Sequence, residues 1–156
     1  MGYGVVVDGY AHPSTSPDIS SLDTHSDAYS LEMALEGLFL PPEHFRQILN
    51  VMRRKKNLIL QGPPGVGKTF IAKRVAWALI RAKRPEQIQM VQFHQSYSYE
   101  DFVQGWRPTE SGGFEIRNGV FYEFCKRAEL HGDKEFIFII DEINRGNLSR
   151  ILGELL

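Results

Sequence analysis

The most constraining feature of this chain is the octapeptide GPPGVGKT at residues 62–69. It places two glycines, a lysine and a hydroxyl side chain at the fixed offsets of a phosphate-binding loop. The five residues before it, NLILQ, form a short apolar run suited to a buried strand, and residues 70–82 carry apolar side chains on one helical face. A turn that only connects a strand to a helix does not require two glycines, a lysine and a hydroxyl side chain at these positions. The segment therefore predicts a nucleoside triphosphate site in an α/β fold.

Each residue type in this loop has a physical role. Gly65 and Gly67 permit a turn in which consecutive N–H groups point inward at anionic oxygens. The helix that follows adds unpaired donors and the positive end of its dipole. Lys68 is expected between the terminal phosphates and Thr69 as a ligand of Mg²⁺. The residues predicted to bind nucleotide are Gly62, Pro63, Pro64, Gly65, Val66, Gly67, Lys68, Thr69 and Phe70.

A second candidate element is the apolar run FIFII at residues 136–140, followed by Asp141 and Glu142. A continuous apolar run is typical of a strand buried on both faces of a parallel sheet. Its acidic pair would stand at the carboxyl edge of the sheet, where open α/β sheets bind ligands. We expect Asp141 to hold Mg²⁺ and Glu142 to polarise the attacking water, with Lys68 as the second catalytic residue.

Composition fits one α/β domain or part of one. The chain has 156 residues and a net charge of −1, yet no Lys or Arg precedes Arg46. We therefore expect a flexible acidic leader or linker over residues 1–30 and a nucleotide-binding domain over 31–156. The single cysteine, Cys125, suits a reducing cytoplasm and is expected in the core. No apolar run is long enough to span a membrane and no secretory pattern is present, so no membrane association is expected.

The remaining pattern gives a coarse order of elements. A helix is expected from Pro42, closing with the basic run RRKK at residues 53–56, which we attribute to the helix C-terminus rather than to nucleic acid. A strand over residues 90–94 follows, then a turn or short hairpin that begins at Gly112-Gly113 and is centred on Asn118-Gly119, and then a helix over residues 120–130. Between them, residues 95–108 alternate serine with tyrosine and end near Trp106. This segment either presents exposed rings to bases or a partner, or packs its rings on the core.

Four segments together resemble the McrB family of AAA+ proteins: GPPGVGKT, QFHQSYSYEDF from Gln92, Arg107-Pro108, and IIDEINRGNLS from Ile139. The resemblance covers residues 38–156. It implies a P-loop NTPase with an AAA+ αβα sandwich and a mostly parallel sheet. It also implies Mg²⁺-dependent hydrolysis of GTP by a ring, a hexamer in this family, that drives restriction of methylated DNA. The implied partners are an McrC-like endonuclease subunit and DNA, which other parts of the complex bind.

The resemblance also sets limits. The family's sensor asparagine, arginines reaching a neighbouring site and helical lid cannot be assigned, and residues 147–156 look cut within a helix. The family's sheet order places a further strand between the two motif-bearing strands. We therefore expect two central strands with unpaired edges, and a chain that alone folds poorly or binds nucleotide weakly without turnover.

Three points stay open at this stage. GTP rests on resemblance, because the Asn-Lys-x-Asp guanine signature is absent, so ATP remains an alternative substrate. Asn144 and Arg145 either reach a neighbouring subunit or the γ-phosphate, or they cap a helix and form a surface ion pair. The alternative functions are a protein-remodelling, MoxR-like AAA+ ATPase and an inactive truncated fragment.

Overall fold

The computed structural model describes residues 2–9 and 28–155, with side chains from residue 28 onward except at 154. The strands are β1 (Gly2–Gly9), β2 (Asn57–Gly62), β3 (Ile88–Gln92), β4 (Gln104–Pro108), β5 (Phe114–Asn118) and β6 (Phe136–Asp141). The α-helices are α1 (Leu31–Leu35), α2 (Pro42–Lys55), α3 (Lys68–Ile80), α4 (Tyr99–Phe102), α5 (Val120–Leu130) and α6 (Leu148–Leu152). Short 3₁₀ turns cover Pro85–Gln87, Ile143–Arg145 and Gly153–Leu155.

The main sheet has the strand order β2-β1-β6-β3. Strands β3 and β6 are parallel, whereas β1 is antiparallel to both of its neighbours. Because β1 reverses direction between them, β2 runs the same way as β6 and β3. The carboxyl ends of these three strands therefore meet at one edge of the sheet, where open α/β sheets place their ligands.

Strand β1 occupies the position in which the sequence predicted unpaired edges. Val5 lies opposite Ile59 of β2 and opposite Ile140 of β6. The expected gap between β2 and β6 is absent, so that prediction is wrong for this chain. Strand β1 therefore comes from the segment that the sequence predicted to be a flexible leader. Its three consecutive valines at residues 5–7 favour extended backbone. Residues 10–27 lie outside the described residues, and the boundary at residue 30 stays a prediction.

Helices cover both faces of the sheet, as the alternation along β6 demonstrates. Ile137 and Ile139 pack in one core cluster with α2 and α3, while Phe138 and Ile140 pack in a second cluster with α5 and α6. All five residues from 136 to 140 are buried. The predicted two-faced burial of this strand is confirmed, and the layers form the αβα arrangement expected of the fold class.

Two local predictions were wrong. Gly112-Gly113 does lie in a turn, but the hairpin loop between β4 and β5 is Thr109–Gly113 and is not centred on Asn118-Gly119. In this loop the Gly112 N–H donates to the Thr109 carbonyl at 3.1 Å. Asn118 ends β5 and Gly119 precedes α5. Cys125 is exposed rather than in the core, because α5 turns Phe124 and Ala128 towards the sheet.

In the serine–tyrosine segment, residues 95–108, some rings pack on the core and one ring is exposed, so each of the two interpretations holds for part of it. Phe102 is buried, and Tyr97 stacks on Phe93 with ring centroids 5.2 Å apart, so these rings pack on the core. Ser98 and Asp101 form a reciprocal capping box that starts α4. Burial alone would raise the pKa of Asp101, but hydrogen bonds from Ser98 and the ion pair with Arg107 hold that pKa below its usual value. Trp106 on the hairpin remains exposed.

The close approach of Gly119 to the end of α4 gives a stability prediction. A Cβ at this position would lie 2.4 Å from the Phe102 carbonyl carbon, and the Gly119 N–H donates to the Val103 carbonyl at 2.7 Å. Gly119→Ala should lower the free energy of unfolding by about 1–3 kcal/mol through steric overlap. Gly132→Ala is the matched control, since nothing lies within 4 Å of its added Cβ. Urea titrations of both variants would measure the difference, and equal stabilities would contradict the close packing.

Candidate nucleotide-binding site

The predicted phosphate-binding loop lies between β2 and α3, as its sequence requires. Gly65 and Gly67 have φ angles of +81° and +80°, a left-handed backbone that side-chain-bearing residues rarely adopt. An added Cβ at either glycine would meet nothing within 4 Å. Glycine is therefore required at both positions for the backbone conformation and not for lack of space. Residues 65–67 follow two prolines, which lack a backbone N–H, and all three are exposed, so their N–H groups lie on the surface where an anion can approach.

Lys68 is folded back onto this loop. Its Nζ donates to the Gly62 carbonyl at 3.0 Å and to the Pro63 carbonyl at 2.8 Å. Gly67 is the N-cap of α3, and no side chain caps that helix end. The ammonium group and the helix N-terminus are thus positioned together at the mouth of the loop, where both favour negative charge.

The two motifs predicted from separate parts of the sequence meet directly. The Thr69 hydroxyl donates to Asp141 Oδ2 at 2.9 Å, and the backbone N–H of Glu142 donates to Asp141 Oδ1 at 3.0 Å. One hydrogen bond to each oxygen therefore fixes the orientation of the Asp141 carboxylate. Gln92 of β3 is paired with Asp141, so the end of a third strand lies beside them.

Glu142 is held in an uncommon conformation beside Arg145. Its φ and ψ angles are 53° and 40°, and Arg145 Nε lies 3.0 Å from Glu142 Oε2. The Arg145 side chain is 64% exposed, against 21% for Glu142. The surface ion pair considered for Arg145 is thus present. Asn144 is exposed on the Ile143–Arg145 turn, whereas the cap of α6 is Asn147, whose side chain accepts from the Arg150 N–H at 3.1 Å.

Arg74 lies on the helix that follows the phosphate-binding loop, and the sequence analysis predicted no role for it. Arg74 of α3 lies over the ring of Phe70 at 4.7 Å, donates to the Tyr29 hydroxyl at 2.8 Å, and also reaches the Met33 carbonyl. It therefore ties α1 to the helix that follows the phosphate-binding loop. Phe70 is 43% exposed, so its ring remains accessible at the start of α3. A lone arginine in an amphipathic helix carries no sequence signal for such a role.

The donor set fits Mg²⁺ shared with phosphates. Thr69 and Asp141 supply a hydroxyl and a carboxylate oxygen within 2.9 Å of each other, both hard ligands that Mg²⁺ prefers. Among the described residues, no group of three or more His, Cys, Asp or Glu is arranged to hold a metal without further ligands. Mg²⁺ usually binds through one or two protein oxygens plus substrate phosphates and waters, so this sparse set suits it.

The Thr69–Asp141 contact gives a prediction about metal dependence. Thr69→Val keeps the shape of the side chain but removes the hydroxyl, so Mg²⁺ should strengthen nucleotide binding much less than in the parent chain. Thr69→Ser should restore the effect, because it returns the oxygen. Titrations with and without Mg²⁺ would measure the ratio of affinities. An unchanged ratio in Thr69→Val would remove Thr69 from the metal site.

Comparison with known proteins shows the family of the chain. Residues 57–156 match the family described as AAA domain (dynein-related subfamily). The chain belongs to this AAA family. It is 54% identical over 131 residues to the type IV methyl-directed restriction enzyme EcoKMcrB subunit of Escherichia coli K12, which makes it an McrB-like AAA+ protein. It is also 37% identical over 92 residues to the proteasome-associated ATPase of Mycobacterium bovis strain BCG / Pasteur 1173P2.

These relatives are longer proteins. The matched regions cover 84% of this chain but 28% of the restriction subunit, and 57% of this chain but 14% of the proteasome-associated ATPase. Family membership supports a nucleotide-hydrolysing role for the shared region. Within the described residues, no helix is long and apolar enough to cross a membrane.

Proposed function

We propose that this chain is the nucleotide-binding part of a GTP-hydrolysing AAA+ motor subunit in a methyl-directed restriction complex. The single observation that carries the proposal is the Thr69–Asp141 hydrogen bond of 2.9 Å, which joins the phosphate-binding loop to the acidic pair. The similarity to the McrB subunit supports the restriction context. The choice of GTP follows from the resemblance of the motifs to the McrB family. The proposed cellular location is the cytoplasm.

In this proposal each site residue has a defined task. The backbone of residues 62–67 and Lys68 bind the phosphates, while Thr69 and Asp141 hold Mg²⁺, which neutralises charge on them. Glu142 orients and polarises the water that attacks the terminal phosphoryl group. Its ion pair with Arg145 restrains the carboxylate in the isolated chain.

The proposed assembly is a homo-oligomeric ring, a hexamer, with nucleotide between neighbouring subunits. The exposure of Arg145, at 64%, supports a role for this side chain at such a junction. An McrC-like endonuclease subunit is the proposed protein partner, and DNA is bound by other parts of the complex. A single chain is expected to bind nucleotide with little turnover, because the neighbour's groups are absent.

Isothermal titration calorimetry with Mg²⁺ tests the substrate. We expect the chain to bind a non-hydrolysable GTP analogue at least about tenfold more tightly than the ATP analogue, a difference of about 1.4 kcal/mol. The two bases present different hydrogen-bonding edges, so the pair is a matched comparison at constant phosphate chemistry. Equal affinities, or a preference for ATP, would overturn the GTP assignment.

A protein-remodelling ATPase is the second candidate function. It is favoured by the 37% identity to the proteasome-associated ATPase. An ATP preference in the same calorimetry would support it. Binding of neither nucleotide would favour an inactive fragment instead.

A further inference from the structure

The hairpin of β4 and β5 presents an apolar face to solvent. Residues that lie directly opposite each other in an antiparallel pair project on the same face. Trp106 lies opposite Ile116, and the next pair on this face is Pro108 with Phe114. Trp106 is 64% exposed and Phe114 is 71% exposed, and the other two residues are exposed as well. We call these four residues the hairpin patch.

The other face of the hairpin is polar and is directed towards the body of the protein. Arg107 forms an ion pair with Asp101 of α4. A Cβ added at Gly105, on the same face as Arg107, would overlap the Glu100 side chain. Two-faced antiparallel strands commonly pack their apolar side on the core and leave their polar side in water, so this hairpin has the reverse orientation. An exposed apolar patch of this kind marks an interaction site.

A second exposed apolar surface lies beside the phosphate-binding loop. Phe39, between α1 and α2, is fully exposed, and Phe70 at the start of α3 is partly exposed. A Cβ added at Gly37 would lie 4.0 Å from the ring of Phe70. The segment that carries Phe39 therefore passes beside the Phe70 ring. We call Phe39 and Phe70 the phenylalanine patch.

The two patches lie on opposite faces of the main sheet. Leu38 and Leu40, on either side of Phe39, pack in the core cluster that lies between the sheet and α2 and α3. Val103 and Val120, before and after the hairpin, pack in the cluster on the α5 and α6 face. Because the sheet and its helices separate the two patches, a single neighbouring molecule does not cover both.

The two patches are similar in size. A buried aromatic side chain removes roughly 150–250 Å² from water, so the exposed fractions of the two rings in each patch correspond to roughly 200–350 Å². Contact between one patch of each kind would bury roughly 400–700 Å², which is below the roughly 1,200 Å² of a stable protein interface. A single such contact is therefore weak and reversible.

We propose that the hairpin patch of one copy of this chain docks on the phenylalanine patch of the next copy. Contact between two different surfaces joins subunits head to tail and gives a ring or an open filament. A two-fold pair of hairpins would instead leave both phenylalanine patches uncovered. Neither patch contains a charged residue, so a phosphate backbone does not complement them. The inference rests on the proposed ring and names the surfaces that join its subunits.

Sedimentation velocity at increasing concentrations of the whole chain tests the proposal, with Mg²⁺ and the GTP analogue and without them. The hairpin variant is Trp106→Thr, Phe114→Thr, in which threonine keeps a residue that favours strands. The phenylalanine variant is Phe39→Ser. The control is Leu130→Ser, which removes an exposed apolar side chain at the end of α5, outside both patches. Circular dichroism verifies that all variants remain folded.

We expect the mean mass of the parent to rise with concentration. Each patch variant should associate at least about tenfold more weakly, as expected when aromatic side chains at the centre of an interface are removed. The control should match the parent. An equimolar mixture of the two patch variants should form pairs with the affinity of one parent contact, because each variant keeps the surface that the other has lost.

A parent that is monomeric in both conditions would overturn the proposal, as would equal weakening by the control. A mixture no heavier than its separate components would exclude the head-to-tail contact. Parent-like association by Phe39→Ser, together with weaker nucleotide binding, would assign this ring to nucleotide and also overturn the proposal. So would a monomeric parent that binds a single-stranded oligonucleotide more tightly than the hairpin variant does. Nucleotide binding by a monomeric parent would leave the proposed nucleotide site standing, whereas assembly without nucleotide binding would leave this inference standing.

Discussion

Val6→Pro is expected to destabilise the whole fold. Val6 is paired with Leu58 on one side and with Ile139 on the other, so it lies in the middle of a strand that has two partners. Proline removes a backbone donor and its ring disrupts the pleat, and within a sheet it is found essentially only on edge strands or at bulges. We expect the free energy of unfolding to fall by at least about 1–3 kcal/mol, the cost of a buried backbone group that loses its hydrogen-bond partner. This is a large part of the roughly 5–15 kcal/mol typical of a domain.

A proline elsewhere provides the control. Glu110 is the second residue of the turn in which the Gly112 N–H donates to the Thr109 carbonyl, and this position of a β-turn favours proline. Glu110→Pro should therefore unfold at about the same urea concentration as the parent. If Val6→Pro also matched the parent, β1 would contribute nothing to the sheet, and β2 and β6 would be left with the unpaired edges that the sequence suggested.

Both motifs of the candidate nucleotide site can be predicted from the sequence because each motif is a short continuous segment. The loop from Gly62 to Thr69 needs fixed offsets, and its strand and helix follow within a few residues. The position of Asp141 follows in the same way, because an apolar strand that ends in two acidic residues brings them to the carboxyl edge of the sheet. Their meeting at 2.9 Å required only that both strands run in the same direction in one sheet.

The contributions that were missed depend on long-range partners. Nothing in residues 2–9 specifies which strands they pair with, because three valines favour extended backbone without selecting neighbours. Arg74 connects to Tyr29 and Met33, more than forty positions away, and no local pattern encodes that contact. The hairpin was misplaced because Asn118-Gly119 is a strong turn dipeptide, but Gly119 is needed where the chain passes close to Phe102.

The basic run at residues 53–56 is a further example of this limit. The run at residues 53–56 is explained by a helix C-terminus when it is considered alone. Only the tertiary fold brings Arg53 of this run close to Arg81 and Glu135, which are distant in sequence. A charge pattern therefore changes its meaning when strands that are far apart along the chain begin at the same edge.

Lys68→Ala is expected to lower the affinity for Mg²⁺–nucleotide at least about 100-fold, or about 2.8 kcal/mol. A charged donor to phosphate contributes roughly 1.5–3 kcal/mol, and Lys68 is expected to contact two phosphate groups. In the structure, Lys68 Nζ instead satisfies the carbonyls of Gly62 and Pro63. Nucleotide must compete with those two hydrogen bonds, so the measured loss reports the difference between phosphate and carbonyl as partners.

The same geometry separates binding from folding in this variant. Pro63 is exposed and Gly62 is partly exposed, so water can replace the ammonium group at both carbonyls once the side chain is removed. Lys68→Ala should therefore unfold close to the parent while its calorimetric signal with nucleotide is largely lost. Lys73→Ala, an exposed cation on the same helix, should leave both measurements unchanged. If Lys68→Ala and Lys73→Ala weakened binding equally, nearby positive charge alone would explain the affinity. The specific position of Lys68 at the mouth of the loop would then contribute nothing of its own to the affinity for nucleotide.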